Sequence, residues 1–138
     1  MLMENDMILA FYKKKDHLKP VAERLFSKIE HGDMGLVVVP SVFSIELYYV
    51  LRYLTGARSV RNIISHLLTF PNVSIVPSTV GHHLGALFLM ENYKLTSIFD
   101  ALYAATAMSE ENPDHAIVSS DRVYDEIEGL TRLDPSGV

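Results

Sequence analysis

Leu36-Val37-Val38-Val39-Pro40 is an unbroken apolar run rich in β-branched residues and closed by a proline. A strand wetted on one face alternates apolar and polar residues. A run with no polar member is instead the pattern of a strand covered on both faces, as in a parallel sheet between helical layers. Two more segments read as strands, the second of them of the same buried type. Val73-Ser74-Ile75-Val76-Pro77 is a second short strand, and Ala116-Ile117-Val118-Ser119 is another that runs directly into Ser120-Asp121. Between them the apolar spacing becomes helical. Pro20 opens a helix carrying Val21, Ala22, Leu25, Phe26 and Ile29, ended by His31-Gly32-Asp33. Ser41 to Leu54 follows with Ile45, Leu47, Val50, Leu51 and Leu54 as its apolar surface, and Val60, Ile63, Ile64, Leu67 and Leu68 form an amphipathic helix. Val80 to Tyr93 places Leu84, Leu87, Phe88 and Met90 on one side.

The two ends complete the series. Met1 to Tyr12 is mostly apolar, interrupted by Glu4-Asn5-Asp6; it reads as a very short strand ending near Glu4, a turn through Asn5 and Asp6, and a helix from Met7. Thr131-Arg132-Leu133 is a candidate edge strand. Strands alternating with helices predict a three-layer α/β/α sandwich with a mainly parallel sheet of four to five strands, residues 1–138 forming one domain.

Composition narrows the chemistry. Of the 138 residues, 49% are hydrophobic and only 21% charged, the balance of a packed globular chain. There is no cysteine, so neither a disulfide framework nor a thiol nucleophile is available. No apolar run approaches the ~18 residues of a membrane span, and the Met-rich start lacks a signal peptide's basic flank. The expectation is a cytoplasmic protein. His82 and His83 are neighbours that face different ways on a helix, and no HxxxH or HExxH spacing occurs, so they read as surface or interface residues rather than zinc ligands. A net charge of -5 argues against nucleic-acid binding through a broad basic surface, but not against a nuclease whose acids are neutralised by divalent ions.

The carboxylates are placed unusually. In Ser97-Ile98-Phe99-Asp100-Ala101-Leu102-Tyr103-Ala104-Ala105-Thr106-Ala107-Met108, Asp100 stands near the mouth of an otherwise apolar helix capped by Thr96 or Ser97. A carboxylate in apolar surroundings requires a cation, a metal or backbone donors. Glu4, Asp6, Glu46 and Asp121 share the description: each lies at the end of a buried strand or at the start of a helix. In doubly wound folds those positions meet along one sheet edge, so acids distant in sequence converge there. Converging carboxylates repel, and Mg²⁺ or Mn²⁺ is the hard, oxygen-liganded counter-charge that suits them.

Pro40-Ser41-Val42-Phe43-Ser44-Ile45-Glu46-Leu47, Asp100-Ala101-Leu102-Tyr103-Ala104-Ala105-Thr106-Ala107 and Val118-Ser119-Ser120-Asp121-Arg122-Val123-Tyr124 together resemble the motifs of the PIN-domain family, most closely its VapC-type prokaryotic toxin branch. The resemblance implies a Mg²⁺- or Mn²⁺-dependent ribonuclease acting on an RNA substrate, commonly a homodimer neutralised by an antitoxin protein encoded beside it. It puts Glu46, Asp100 and Asp121 in the family's second, third and fourth acidic places, and Ser120 at the hydroxyl before the fourth. At the first place, aligning Met7-Ile8-Leu9-Ala10 with the family's apolar run selects Glu4, whereas residue type selects Asp6; both stand as candidates. A PIN-like module with a weakened metal site, acting by binding alone, is the competing expectation. Lys13-Lys14-Lys15 near the first acid is either an RNA-backbone contact or a solvated helix end.

Overall fold

A computed structural model describes all residues from Met1 to Val138. Five strands form one sheet in the order β3-β2-β1-β4-β5: β1 (Leu2–Met3), β2 (Val37–Pro40), β3 (Val73–Val76), β4 (Ala116–Val118) and β5 (Thr131–Leu133). Every neighbouring pair is parallel. Six α-helices connect them: α1 (Asn5–Tyr12), α2 (Lys19–His31), α3 (Phe43–Leu51), α4 (Ala57–Leu68), α5 (Val80–Asn92) and α6 (Ile98–Ala107). The chain steps from β1 to β2 to β3 in one direction and then returns across the sheet to β4 and β5. Right-handed crossovers therefore place α1 to α4 over one face and α5 and α6 over the other. The predicted α/β/α sandwich is what is found, with Thr131–Leu133 as an edge strand.

The apolar runs become strands because the helices cover both of their sides: β1, β2 and β4 are buried throughout. β2 differs from expectation at its ends. Leu36 is 61% exposed and precedes the strand, while Pro40 lies inside it, paired with Val76. The start of the chain also differs: α1 begins at Asn5, directly after β1, with Glu4 as its N-cap residue, so no turn separates strand from helix.

The layer of α1, α2 and α4 is pinned by aromatic contacts. Phe11 stacks on Phe26 with centroids 4.0 Å apart, and Phe70 meets Phe26 edge-on at 5.2 Å. On the opposite face Gly85 of α5 packs against Ala105 of α6, where a Cβ on residue 85 would already sit 3.5 Å from that of Ala105.

The faces of α3 and α5 correct the sequence reading. Leu47 and Leu51 are buried, yet Ile45, Val50 and Leu54 are exposed. On α5 the buried residues are His82, Ala86 and Leu89, while Leu84, Leu87 and Phe88 point outward. His82 is thus no surface residue: its Nδ1 accepts from the Thr79 backbone N–H at 3.0 Å, and its Nε2 faces Glu111 Oε2 at 3.4 Å. His83 is exposed. No helix is long and apolar enough to cross a membrane.

Candidate functional site

The carboxyl ends of β1 and β4 are adjacent because Met3 pairs with Val118, and everything that follows those strands emerges side by side. Glu4 follows β1 directly. It is 6% exposed, and its Oε2 accepts from the Ser119 hydroxyl. Ser119 is itself fully buried, and its Oγ also accepts from the Asp121 backbone N–H at 2.9 Å. One hydroxyl therefore ties the first acid to the turn that carries the last. Sequence reasoning missed this residue and chose its neighbour. Ser120 does bond an acid, but that acid is Asp6: its backbone N–H and hydroxyl donate to Asp6 Oδ2 at 2.7 and 2.6 Å. Asp6 Oδ1 accepts from the Met7 N–H at 2.7 Å.

Glu46 lies in the first turn of α3, after β2. Its Oε2 accepts from the Tyr103 hydroxyl at 2.6 Å, and Tyr103 is completely buried on α6. Asn5 also lies close enough to favour the charged form of Glu46. Its amide nevertheless completes no hydrogen bond of normal geometry, so a fully buried polar group beside the acids is left unpartnered. Asp100 lies one turn before Tyr103. Its backbone N–H donates to the Ser97 Oγ, which settles the helix cap on Ser97. Asp121 caps the 3₁₀ turn over Arg122–Glu126 through its Oδ1 and the Val123 N–H, 2.9 Å apart.

All five predicted acids share one electrostatic neighbourhood. Burial pushes Glu4 well above the usual carboxylate range, and the charges of Asp6, Asp100 and Glu46 push the same way against the Ser119 hydrogen bond. Asp6 is raised by burial and by Asp121, opposed by its bonds from Ser120 and Met7. Glu46 is raised by burial, opposed by the Tyr103 hydrogen bond. Asp100 is pushed up to about 6, first by burial and then by Asp121 and Glu46. Tyr124, fully buried, is driven far up by burial and then by Glu4, Asp100, Asp6 and Asp121; its hydroxyl has no partner.

None of the five acids pairs with a Lys, Arg or His; the ion pairs of the chain lie elsewhere. The donor set is therefore all oxygen, mutually repulsive and uncompensated, which suits a hard divalent cation. No three of these side chains are drawn into a ready-made ligand cage. The lysines do not join them: Lys13 pairs with Asp16 at 3.9 Å, and Lys13 and Lys14 line a hollow with Leu47, Leu51 and Leu54.

The repulsion carries a pH signature. A carboxylate with a raised folded-state pKa binds its proton more tightly in the native state. Its stabilising contribution is complete below the unfolded value, near 3.8 for Asp100, and is lost as pH rises through about 6. The melting temperature of the metal-free protein is therefore expected to fall between pH 5 and pH 8. Millimolar Mn²⁺ is expected to restore more of it at the upper end, because a cation binds the charged forms. A melting temperature that rises over that interval without metal would contradict the electrostatics described here.

Comparisons agree with this fold. The family model described as PIN domain matches residues 6–130, a segment that takes in Asp6, Glu46, Asp100 and Asp121 and begins just after Glu4. Among solved structures, the chain is similar to Mycobacterium tuberculosis VapC20, a sarcin-ricin loop cleaving toxin, with a TM-score of 0.69 and 15% identity over 84% of this chain and 85% of that one. It is also similar to VapBC2 from Rickettsia felis, solved bound to a DNA fragment from its promoter, with a TM-score of 0.65 and 14% identity over 96% of each chain. No curated protein matches by sequence. With the family model spanning nearly the whole fold, the chain belongs to the PIN domain family.

Proposed function

We propose that this chain is a Mg²⁺- or Mn²⁺-dependent endoribonuclease that hydrolyses RNA phosphodiester bonds, and that it is the toxin of a toxin-antitoxin pair. The observation that carries the reading is the gathering of Glu4, Glu46, Asp100 and Asp121 at one sheet edge with no cationic side chain to neutralise them. Membership of a family of nucleases and similarity to a toxin described as cleaving the sarcin-ricin loop support hydrolysis and an RNA substrate. Similarity to a VapBC protein supports an antitoxin partner, and the exposed Leu84, Leu87 and Phe88 offer an apolar row for a protein contact, a second copy included. The whole chain, residues 1–138, is taken as one PIN-like domain in the cytoplasm.

Glu4, Asp100 and Asp121 would hold the ion, and Glu46 a second one that enters with substrate. When bound, such an ion acidifies water and withdraws charge from the scissile phosphate. The chain's own groups do the rest. In place of holding a second ion, Glu46, anchored at Oε2 by Tyr103, would serve as the general base that takes a proton from the attacking water. Ser119 holds Glu4 and the Asp121 backbone together, fixing the spacing of two acids from opposite ends of the chain. Asp6, with both oxygens occupied by hydrogen-bond donors, positions Ser120 and the turn leading to Asp121.

The test is cleavage of a labelled single-stranded RNA by purified protein with Mn²⁺, with Mg²⁺ and with chelator, for the wild type and for Asp121→Asn. Metal-dependent cleavage lowered about tenfold or more by the substitution is the expected result. The longer Glu4 at the first acidic place favours a second reading, a binding module without hydrolysis; a wild type that binds RNA and leaves it intact in all three buffers would establish it.

A further inference from the structure

We propose that Tyr49, Tyr53, Phe99 and Arg52 form a stacking platform for unpaired nucleobases at the lip of the acidic site. The proposal rests on an RNA substrate, and it adds how that substrate is gripped.

The platform is continuous with the acids in two ways. On α3, Glu46, Tyr49 and Val50 follow the spacing i, i+3, i+4 and so share one side of the helix, and Tyr53 follows in the turn beyond it, linked to Tyr49 through Arg52. The helical turn persists past Leu51, since the Arg52 N–H donates to Tyr48 O at 2.8 Å and the Thr55 N–H to Leu51 O at 2.9 Å. From α6, Phe99 adjoins Asp100, and its ring meets that of Tyr49 with centroids 6.4 Å apart. A strand whose phosphate lies at Glu46 and Asp100 therefore has aromatic rings within reach of its next bases.

The two tyrosine rings are open to a ligand, while Phe99 is half-buried and packs against the core. Tyr49 is 52% exposed and Tyr53 85% exposed, and neither hydroxyl takes part in a hydrogen bond. A core-filling role for these side chains is excluded by that exposure. The Arg52 guanidinium lies 5.0 Å from the Tyr49 ring centre and 4.5 Å from that of Tyr53. It donates to the Tyr49 carbonyl and has no carboxylate partner. In a chain of net charge -5, an unpaired guanidinium between two exposed rings beside an acidic site is complementary to a polyanion that carries flat apolar bases. Aromatic rings stack on all four bases, so the platform selects for bases that are unpaired rather than for a sequence. Duplex RNA, with its bases stacked on one another, has no faces to offer.

The experiment measures binding of fluorescein-labelled oligoribonucleotides by anisotropy, in the Asp100→Asn background so that the strand stays whole. Tyr53→Ala and Tyr49→Ala are each expected to weaken binding of an unpaired oligonucleotide about tenfold. They are expected to have little effect on an abasic strand of the same length, which has the phosphates without the bases. Equal loss on both strands, or no loss on either, overturns the platform. So does sedimentation showing that the same substitutions turn a dimer into a monomer, since the rings would then be a contact between copies. The reading of the enzyme fails separately: ring-dependent binding by a wild type that cleaves nothing leaves the platform standing and removes the hydrolase. Because both tyrosines are largely exposed, the variants are expected to keep the wild-type far-UV dichroism.

Discussion

Asp100→Asn is expected to lower metal-dependent RNA cleavage by roughly 10²- to 10³-fold while leaving the metal-free protein as stable as the wild type or more so. The two effects share one cause. Asp100 is pushed up to about 6 by burial and by the charges of Asp121 and Glu46, so at neutral pH its negative charge is held in place against an unfavourable field. An amide of the same shape removes that charge and keeps the packing. The helix cap is untouched, because it is the backbone N–H of residue 100 that donates to Ser97. The loss of cleavage follows because a neutral amide is a poor ligand for a hard cation and leaves Glu4 and Asp121 without their shared counter-charge. Initial cleavage rates with Mn²⁺, paired with thermal melts in chelator, check both halves. Undiminished cleavage would remove Asp100 from the site. A melting temperature many degrees lower would mean that the carboxylate is a structural partner rather than a held charge.

Phe26→Ala is expected to have the largest effect on stability, a loss of about 3–5 kcal/mol. Phe26 is 1% exposed, stacks on Phe11 from α1 and takes Phe70, which follows α4, on its edge. Its removal opens a cavity where three segments meet, and none can collapse inward without dragging its helix off the sheet. Native domains are stable by about 5–15 kcal/mol, so the variant would retain little margin. Chemical denaturation followed by dichroism measures this, and a loss below about 1 kcal/mol would show that the aromatic cluster does not hold the layer. A functional consequence accompanies the loss, because α1 carries Asp6 and follows directly from Glu4. A looser α1 loosens the acid that holds Ser120.

The fold was legible wherever burial on both faces suppresses polar residues. Val37–Val39 and Ala116–Val118 have one reading, and the parallel sheet follows from them. Faces of helices were less legible. On α5 Leu84, Leu87 and Phe88 lie outside, while His82 is buried with both nitrogens engaged by Thr79 and Glu111, and Gly85, a residue without a side chain, fits against Ala105 of α6. A periodicity of apolar residues finds a helix but cannot say whether that face meets the chain's own core or something else.

The acids were legible as a set because each sits at a junction that the topology forces to one edge. Their supporting residues were not. Ser119 and Ser120 are the same residue type side by side, and only the register of β4 decides that the first turns inward to Glu4 and the second toward Asp6. Tyr103 and Tyr124 look like packing residues in sequence. Their hydroxyls become visible as partners, or as groups without one, only when α6 and the turn after Asp121 are set against the sheet.

The smallest strand has a consequence for how the protein comes into being. β1 holds two residues, occupies the middle of the sheet and is made before both strands it pairs with. The bond between Glu4 and Ser119 spans 115 residues, and that between Asp6 and Ser120 spans 114. A growing chain therefore carries Glu4 and Asp6 long before β4 exists to seat them. Helices α1 to α4 can pair with one another meanwhile, but the closure that brings the acids together waits for β4 and the turn after it. Until β4 is made, Glu4 and Asp6 have neither Ser119 nor Ser120 to hold them, and the acidic edge of the sheet stays unassembled.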